Sequence, residues 1–240
     1  MRKLLEIPFA FFLSLLAYSG FGFFLSLAYP YFFITGFREN QVRHFMYLVS
    51  RYMMFCVRLS SKSYVIDGAE PPPGSAVIVA NHSSILDIVC MSQFGMKDLI
   101  FLTGGWPLAL PIGGRYLRGG FGLFAEETED FNALTGKVRA AFEKGLKLVV
   151  FPEGTRSTDG RVHRFKSGAF ALARDCGVPV IPAALRGLGP ALPKGKIWLT
   201  SSAIRLTLLE PAPPFEKGDL SAFHMAQYVK RLIVEKLAET

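Results

Sequence analysis

The sequence contains few cysteines, and their arrangement excludes two kinds of protein. Cys56, Cys90 and Cys176 are the three cysteines among 240 residues, and none belongs to a C-x-x-C pair. An odd and scattered set does not form a disulfide framework and is typical of a reducing compartment. The spacing also lacks the pattern of a zinc site. We therefore expect a chain without a disulfide framework or a zinc site, and the chemistry inferred below requires neither a metal nor a redox cofactor.

Charged residues are missing from a long stretch near the N-terminus. Between Ile7 and Phe37 every residue is uncharged, and phenylalanine and leucine dominate. A single straight helix through these residues would be about 46 Å long, longer than the roughly 30 Å of a bilayer's hydrocarbon core. The composition predicts a membrane-associated helical segment over residues 1–60, joined to a second unit over residues 61–240.

Three interpretations of this apolar stretch compete. Arg2 and Lys3 resemble the start of a signal peptide, although the apolar run continues past a cleavage site. A single tilted span from about Ile7 to Ala28 is the second interpretation. The third, which we favour, is a pair of short helices hinged near Ser19–Gly22 that enters the membrane and returns. Basic residues flank both ends of the stretch, so we expect a location at the cytoplasmic face of the inner membrane.

Basic residues outnumber acidic ones by 27 to 19, and many lie beside the apolar stretch. Arg43, Arg51 and Arg58 fall within an arc of about 80° on a helix over Gln41–Ser60. A basic stripe on an apolar helix is typical of a helix in the lipid headgroup layer; the alternative is the solvated edge of an ordinary core helix. No nucleic acid partner is expected, because the basic residues border lipid-like segments and not polar stacking aromatics.

The rest of the chain alternates between strand and helix patterns, which predicts an α/β fold with a mostly parallel central sheet flanked by helices. Gly104–Gly122, rich in glycine, proline and aromatics, is expected to be an irregular loop near a binding cleft. The predicted strands are Ser63–Asp67, Ser75–Ala80, Leu99–Thr103, Lys147–Phe151, Val178–Ala183 and Ile204–Glu210. The predicted helices are Ser84–Phe94, Asp130–Lys144, Gly168–Asp175 and Leu220–Leu237. Chemistry in such folds lies at the carboxyl ends of strands.

One chemical motif follows the strand that ends at Ala80. His82 stands in the turn after this strand, and Asp87 stands in the first turn of the next helix. The two side chains can meet only if His82 folds back over the helix N-terminus, which gives an imidazole oriented by a carboxylate, as in a general base. Alternatively, Asp87 is only a favourable charge at a helix start and His82 an ordinary turn residue. A covalent hydrolase is disfavoured because the sequence has no G-x-S-x-G elbow.

A second motif, at residues 151–157, reads F-P-E-G-T-R-S and follows another strand. Backbone N–H groups in a glycine turn can approach an anion, and the planar guanidinium of Arg156 suits phosphate. Lys166 and the helix that begins at Gly168 add to this preference for an anion. The alternative is a charged surface loop of a basic protein.

Together these motifs resemble the glycerolipid acyltransferase family, which includes the 1-acylglycerol-3-phosphate acyltransferases. The family's first block, H-x-x-x-x-D, matches His82 and Asp87, and its F-P-E-G-T-R-S block matches residues 151–157 in full. A downstream F-K-x-G matches Phe165 to Gly168, and a V-P-V-I-P stretch matches Val178 to Pro182. The order of the blocks is that of the family.

The resemblance covers about residues 60–210, and one block departs from the family's pattern. Where the family carries an arginine that helps to bind the acceptor's phosphate, this chain has Phe124-Ala125-Glu126-Glu127. Arg115 and Arg118, just upstream, are candidates to substitute for that arginine. The departure bears on the phosphate of the acceptor more than on acyl transfer.

The resemblance implies an O-acyltransferase that moves a fatty acyl group from acyl-CoA or acyl-carrier protein to 1-acylglycerol-3-phosphate at a membrane, giving phosphatidic acid in phospholipid synthesis. It implies that His82 takes the proton of the acceptor hydroxyl and that Asp87 orients the imidazole. The implied substrate-binding residues are Glu153, Gly154, Thr155, Arg156, Lys166 and Arg118 on the headgroup side, and Pro182 on the acyl-donor side. Another lysolipid acceptor, such as a lyso-aminolipid or lysophospholipid, and a non-catalytic membrane lipid-binding protein are the alternatives.

Overall fold

The computed structural model describes residues 2–71, 73–104, 112–124, 130–215 and 221–239. The predicted loop Gly104–Gly122 lies partly outside these residues, and Glu126-Glu127 lies wholly outside them. The elements are, in chain order, α1 (Arg2–Thr35), α2 (Glu39–Ser60), β1 (Ser63–Gly68), β2 (Val77–Ala80), α3 (Leu86–Cys90), β3 (Leu99–Thr103), α4 (Gly113–Tyr116), β4 (Gly122–Phe124), α5 (Phe131–Glu143), β5 (Lys147–Val150), α6 (Gly168–Cys176), β6 (Val180–Arg186), α7 (Leu188–Ala191), β7 (Ala203–Leu208) and α8 (Ser221–Ala238).

The strands form one sheet in the order β1-β7-β6-β2-β5-β3-β4. Neighbouring strands are parallel except β6 and β7, which pair in antiparallel fashion. All four residues of β2 are buried, as expected for an apolar strand at the centre of a sheet that is covered on both faces. The predicted α/β fold with a mostly parallel sheet is confirmed. Every predicted strand and helix is present, and β4 is a strand that the loop interpretation of Gly104–Gly122 did not include.

Helices cover both faces of the sheet and divide the core in two. Residues of α1, α2, α3 and α7 pack against one face, which we call the first core. Residues of α5, α6 and α8 pack against the other face, the second core. Side chains of a strand alternate between faces. In β6, Ile181, Ala183 and Leu185 accordingly enter the first core, while Val180 and Ala184 enter the second.

α1 is one unbroken helix, so the predicted hinge near Ser19–Gly22 is wrong. Gly20 is a point of close approach to α2, since a Cβ at this position would lie 2.2 Å from the Tyr52 hydroxyl oxygen. That hydroxyl donates a hydrogen bond to the Leu16 carbonyl at 2.7 Å. Pro30 also lies inside the helix. Apolar surroundings offer backbone groups few other partners, and this favours a continuous helix through such residues.

Most of α1 faces outward. The stretch Phe9–Thr35 is long and apolar enough to cross a membrane. An 18-residue segment within it has a mean hydropathy of 1.8, and only 28% of that segment is buried. Besides the Tyr52–Leu16 hydrogen bond, two further polar contacts hold α1 against the rest of the molecule. The Ser14 hydroxyl accepts a hydrogen bond from Leu199 N at 2.7 Å, and the Leu25 carbonyl accepts one from the Tyr116 hydroxyl at 2.7 Å.

α2 packs as a core helix along most of its length, which corrects one detail of the predicted basic stripe. Arg43 is buried, and its guanidinium contacts the Gly120 carbonyl at 3.5 Å and the Glu39 carboxylate at 3.6 Å. Arg51 and Arg58 lie over the rings of Tyr47 and Tyr64, respectively. Arg43 therefore does not belong to an exposed stripe. The apolar residues of α2 that are buried are Val42, Met46, Val49, Met53, Met54, Cys56 and Val57.

Candidate active site

The site begins where β2 ends, because Asn81 fixes the chain at the edge of the sheet. Its side-chain amide donates to the Leu185 carbonyl at 2.9 Å and its amide oxygen accepts from Leu185 N at 2.8 Å. These two bonds replace the backbone ladder between β2 and β6, so the chain can leave the sheet without orphaned polar groups. His82 is thereby held directly beyond the carboxyl end of the central strand.

The turn after Asn81 brings His82 and Asp87 together. His82 Nδ1 lies 2.8 Å from Asp87 Oδ2, and the same oxygen accepts backbone hydrogen bonds from Ser83 N at 2.6 Å and Ser84 N at 2.8 Å. Asp87 is fully buried. A carboxylate can be buried at tolerable cost when several donors converge on it. Because Asp87 Oδ2 accepts a hydrogen bond from the Nδ1–H group, Nε2 is the ring nitrogen that is free to act as a base.

The loop after β5 wraps around His82. The His82 ring stacks on the Phe151 ring with centroids 4.2 Å apart and planes inclined by 18°. The His82 carbonyl accepts a hydrogen bond from Ser157 N at 2.8 Å. Because β2 and β5 are parallel neighbours, their carboxyl ends emerge side by side, and this brings the two motifs together.

Glu153 connects this loop to the His82 turn by its carboxylate. One carboxylate oxygen accepts from His82 N at 2.8 Å, and the other accepts from His163 N at 2.9 Å. The side chain is buried. Both oxygens accept backbone hydrogen bonds within the protein, so Glu153 positions the two loops. The substrate contact that the resemblance implies for Glu153 stays a prediction.

The exposed side of the same loop is basic. Gly154 adopts a φ of +74°, and a Cβ there would lie 3.1 Å from Lys166 Nζ, so the glycine leaves room for this ammonium group. Thr155 is exposed and Arg156 is partly exposed one residue before Ser157. Asp159 orders the following turn: its carboxylate accepts from the Ser157 hydroxyl at 2.9 Å, and hydrogen bonds from Arg161 N and Ser157 lower its pKa.

Two other predicted binding residues, Pro182 and Arg118, belong to different elements of the fold. Pro182 is buried within β6 opposite Val79, and by the alternation of the strand its ring faces the second core, away from α3. Arg118 is exposed on a π-helical turn before β4, which is three strands from β2, a lateral distance of roughly 14 Å at the usual strand spacing. Arg115 lies over the Tyr29 and Phe33 rings of α1.

A buried thiol lies next to Asp87 in the first core. Cys90 is fully buried in the first core, and its Sγ contacts the Asp87 carbonyl at 3.2 Å. Burial, together with the charge of Asp87, raises the pKa of the Cys90 thiol well above its ordinary value. Cys90 therefore stays a neutral packing residue. Within the described residues, no group of three or more His, Cys, Asp or Glu side chains is arranged to hold a metal ion.

Sequence reasoning missed two features of this site. The stacking of Phe151 on His82 had no signal beyond the presence of an aromatic residue at a strand end. The second feature is the Ser84 hydroxyl, which donates to the Leu192 carbonyl at 2.8 Å and ties the His82 turn to the segment after α7. These partners are 108 positions apart, and no local pattern in the sequence reports such a pairing.

Fold and site together define an α/β protein with a partly exposed histidine held by a buried aspartate at the carboxyl edge of its sheet, beside a basic turn. The chain belongs to the Acyltransferase family, whose model matches residues 63–186. The resemblance read from the sequence blocks is thereby confirmed.

Curated relatives match the same part of the chain. A chloroplastic 1-acyl-sn-glycerol-3-phosphate acyltransferase of Arabidopsis thaliana is 37% identical over 136 residues, which cover 54% of this chain and 38% of that protein. The human 1-acyl-sn-glycerol-3-phosphate acyltransferase beta is 31% identical over 148 residues, covering 57% of this chain and 50% of the human one. The chain thus spans half or less of the length of these relatives.

A solved structure has the same fold over nearly the whole chain. The crystal structure of the 1-acyl-sn-glycerophosphate acyltransferase from Thermotoga maritima superposes with a TM-score of 0.64 and 24% identity, covering 99% of this chain and 97% of that one. The similarity therefore includes the N-terminal helices as well as the sheet.

Proposed function

We propose that this chain transfers a fatty acyl group from an acyl thioester to the free hydroxyl of 1-acylglycerol-3-phosphate, giving phosphatidic acid. The observation that carries the proposal is the 2.8 Å contact between His82 Nδ1 and Asp87 Oδ2 at the carboxyl edge of the sheet. Family membership and the names of the curated relatives support the reaction and the acceptor.

His82 acts as the general base in this proposal. Asp87 holds the imidazole so that Nε2 removes the proton of the acceptor hydroxyl as its oxygen attacks the thioester carbonyl carbon. The new ester C–O bond forms, the C–S bond breaks, and the imidazolium returns the proton to the departing thiolate. Buried Asp87 stabilises the imidazolium during the transfer. General-base catalysis contributes about 10²–10⁴-fold to the rate.

The acceptor's phosphate binds the basic side of the loop after β5. Arg156 presents a planar fork that matches a phosphate, and Lys166 Nζ lies over Gly154 on the exposed side of the same loop. Arg156 precedes Ser157, whose backbone N–H donates to the His82 carbonyl. Lys166 lies beside Gly154, which follows Glu153, whose carboxylate accepts from His82 N. The donor is acyl-CoA or acyl-carrier protein.

A membrane surface supplies the lipid acceptor. The exposed apolar face of α1, including Phe12, Leu15 and Leu27, would bury in the bilayer. The basic residues that flank this apolar stretch, Arg2, Lys3 and Arg38, then lie near anionic headgroups on the cytoplasmic side of the inner membrane.

A second acceptor class has one observation in its favour. The sequence carries Glu126-Glu127 where the family carries an arginine for the phosphate. An acidic pair disfavours a phosphate and favours a cationic headgroup by Coulomb attraction. A lyso-aminolipid is the acceptor that this difference would select.

One assay separates these functions. The full chain, purified in detergent, is mixed with acyl-CoA or acyl-carrier protein thioester and with each lysolipid in turn, and release of free thiol is followed. Release with lysophosphatidic acid supports the main proposal; release only with a lyso-aminolipid or another lysophospholipid supports the second acceptor class. No release with any acceptor would show a non-catalytic lipid-binding protein.

Two variants test the mechanism in the same assay. His82→Ala is expected to lose about 10²–10⁴-fold in kcat. His44→Ala, on the exposed side of α2, is the matched control and should keep full turnover. Full turnover by His82→Ala would refute the general-base mechanism.

A further inference from the structure

The segment between α7 and β7 forms a small protruding loop, Leu192–Leu199, which we call the interface loop. Its base is closed by a hydrogen bond from Thr200 N to the Ala191 carbonyl at 2.8 Å. Its tip is a turn in which Lys196 N donates to the Pro193 carbonyl at 3.0 Å and Gly195 adopts a φ of +82°. That glycine conformation is the one a type II turn requires at its third position.

The tip of this loop is both basic and apolar, and it is open to solvent. Lys194 and Lys196 are exposed, and residues 187–202 contain no acidic side chain. Ile197 and Trp198 follow with 61% and 48% of their surface exposed. Burying an isoleucine and a tryptophan side by side would be favourable, yet the described residues leave them in water.

The interface loop continues the exposed face of α1. The Trp198 ring lies 5.9 Å from the Phe11 ring, which is itself half-exposed, and Leu199 N donates to the Ser14 hydroxyl. Lysine and tryptophan together are typical of the layer where lipid headgroups meet hydrocarbon, because the ammonium groups attract anionic lipids while the indole stays at the headgroup level. The exposed apolar face of α1 is thus continuous with the basic and aromatic surface of the interface loop.

The same loop is attached to the catalytic turn. The Leu192 carbonyl accepts from the Ser84 hydroxyl at 2.8 Å, and Ser84 N donates to Asp87 Oδ2 at 2.8 Å. Gly189, in α7, lies against Ser83 so closely that a Cβ would be 3.1 Å from the serine side chain. Two hydrogen bonds therefore connect the start of the interface loop to the carboxylate that orients His82.

We propose that the interface loop is a second membrane contact, which docks on an anionic bilayer through Lys194, Lys196 and Trp198 and sets the depth of the His82 turn at the membrane surface. The proposal rests on the membrane association argued above and adds to it. α1 supplies apolar burial, while the interface loop fixes how the catalytic domain is tilted on that surface. Without the loop contact, His82 is held at a less favourable depth for a lipid hydroxyl.

Fluorescence quenching tests the contact directly. The chain has two tryptophans, so Trp106→Phe leaves Trp198 as the single tryptophan reporter. The variant protein is added to vesicles of phosphatidylcholine and phosphatidylglycerol that carry bromine at shallow or deep positions of the acyl chain. We expect a blue shift and stronger quenching by the shallow bromines. An unquenched Trp198 in protein that cosediments with the vesicles overturns the proposal.

Charge neutralisation tests the lysines. Lys194→Gln combined with Lys196→Gln is expected to weaken partitioning into vesicles containing phosphatidylglycerol by roughly 30-fold, with little change on pure phosphatidylcholine. The matched control, Lys230→Gln with Arg231→Gln, removes two charges from α8 on the opposite face of the sheet. Equal loss in both double variants would show a general effect of net charge and overturn the assignment to this loop.

Activity separates this inference from the proposed function. The interface-loop double variant should keep its turnover on substrate in detergent micelles and lose turnover on substrate presented in anionic vesicles. Failure of the unmodified protein to turn over in micelles would refute the acyltransferase proposal by itself. Turnover on vesicles that is unaffected by the double variant would refute the interface loop while leaving acyl transfer intact.

Discussion

The imidazole of His82 and the ring of Phe151 lie face to face, with centroids 4.2 Å apart. This relationship joins the two motifs that the chain carries 69 positions apart. Asp87 fixes one edge of the imidazole through Nδ1, and Phe151 covers one face, so the ring is held in two independent directions. A π face next to an imidazole also favours the ring when it becomes an imidazolium cation during proton transfer.

Replacing Phe151 by leucine should reduce catalysis without unfolding the protein. Phe151→Leu keeps an apolar side chain but removes the stacked face, and aromatic pairing contributes about 0.5–1.5 kcal/mol. We expect kcat to fall roughly 2- to 12-fold, measured by thiol release. Phe170→Leu, in α6 and the second core, removes a similar ring far from His82 and should cost stability but little kcat per folded molecule. Equal kcat effects in the two variants would contradict a role for stacking.

Glu153→Gln distinguishes a positioning residue from a substrate ligand. An amide can accept at one oxygen only, so either His82 N or His163 N loses its partner. We expect the free energy of unfolding to fall by about 1–3 kcal/mol and kcat to fall, with KM for the lysolipid unchanged. Glu210→Gln, which alters an exposed carboxylate, is the control. A raised KM at unchanged stability would instead support the substrate contact that the resemblance implied.

The proposed role of Arg156 in binding the acceptor's phosphate is tested by a substitution that keeps its charge. Arg156→Lys retains a cation but cannot make two parallel hydrogen bonds to phosphate. We expect kcat/KM for lysophosphatidic acid to fall roughly 10- to 100-fold, the loss of a hydrogen bond to a charged group. Arg164→Lys, exposed in the same loop, should change it little. A wild-type kcat/KM in Arg156→Lys would place the phosphate elsewhere.

Much of the fold could be predicted because its strands are short apolar runs bounded by glycine and proline. The run Val77–Ala80 is buried on both faces, and the period of Phe131–Glu143 is helical, so both patterns are local. α1 could not be read in this way. Gly20 indicated a hinge because glycine weakens a helix. In the structure its missing side chain leaves room for Tyr52 of α2, a contact between residues that are distant in sequence.

The contact between His82 and Asp87 was predictable from the sequence, while the surroundings of the pair were not. The spacing of His82 and Asp87 across a helix start permits their contact, and the structure has it at 2.8 Å. For Glu153, the family resemblance implied a contact with the substrate. Its two partners are backbone N–H groups from separate loops, and a side chain's choice between a ligand and a backbone group depends on tertiary packing.

Alkaline pH should destabilise the protein partly through Cys90. Burial and the charge of Asp87 raise the pKa of this thiol above its ordinary value of 9.0, so above pH 9 the unfolded chain loses a proton that the native state keeps. The unfolded state then binds fewer protons, and stability falls as the pH rises. Urea unfolding between pH 8 and 10.5 should show a decline that is shallower in Cys90→Ala by up to about 1.4 kcal/mol per pH unit. Identical slopes in the two proteins would show that the thiol ionises equally in both states.

The two glycines of α1 provide a matched test of the packing between α1 and α2. A Cβ at Gly20 would collide with the Tyr52 hydroxyl, whereas a Cβ at Gly22 has no neighbour within 4 Å. We expect Gly20→Ala to destabilise the protein by about 1–3 kcal/mol through overpacking and loss of the Tyr52–Leu16 hydrogen bond. Gly22→Ala should stabilise the helix by about 0.5–1 kcal/mol, since alanine is the better helix former. Thermal unfolding in detergent, at about 2–4 °C per kcal/mol, resolves both changes. If the segment were a hinge at residues 19–22, the two alanines would act alike, and a fall in Tm for both would restore the broken-helix interpretation.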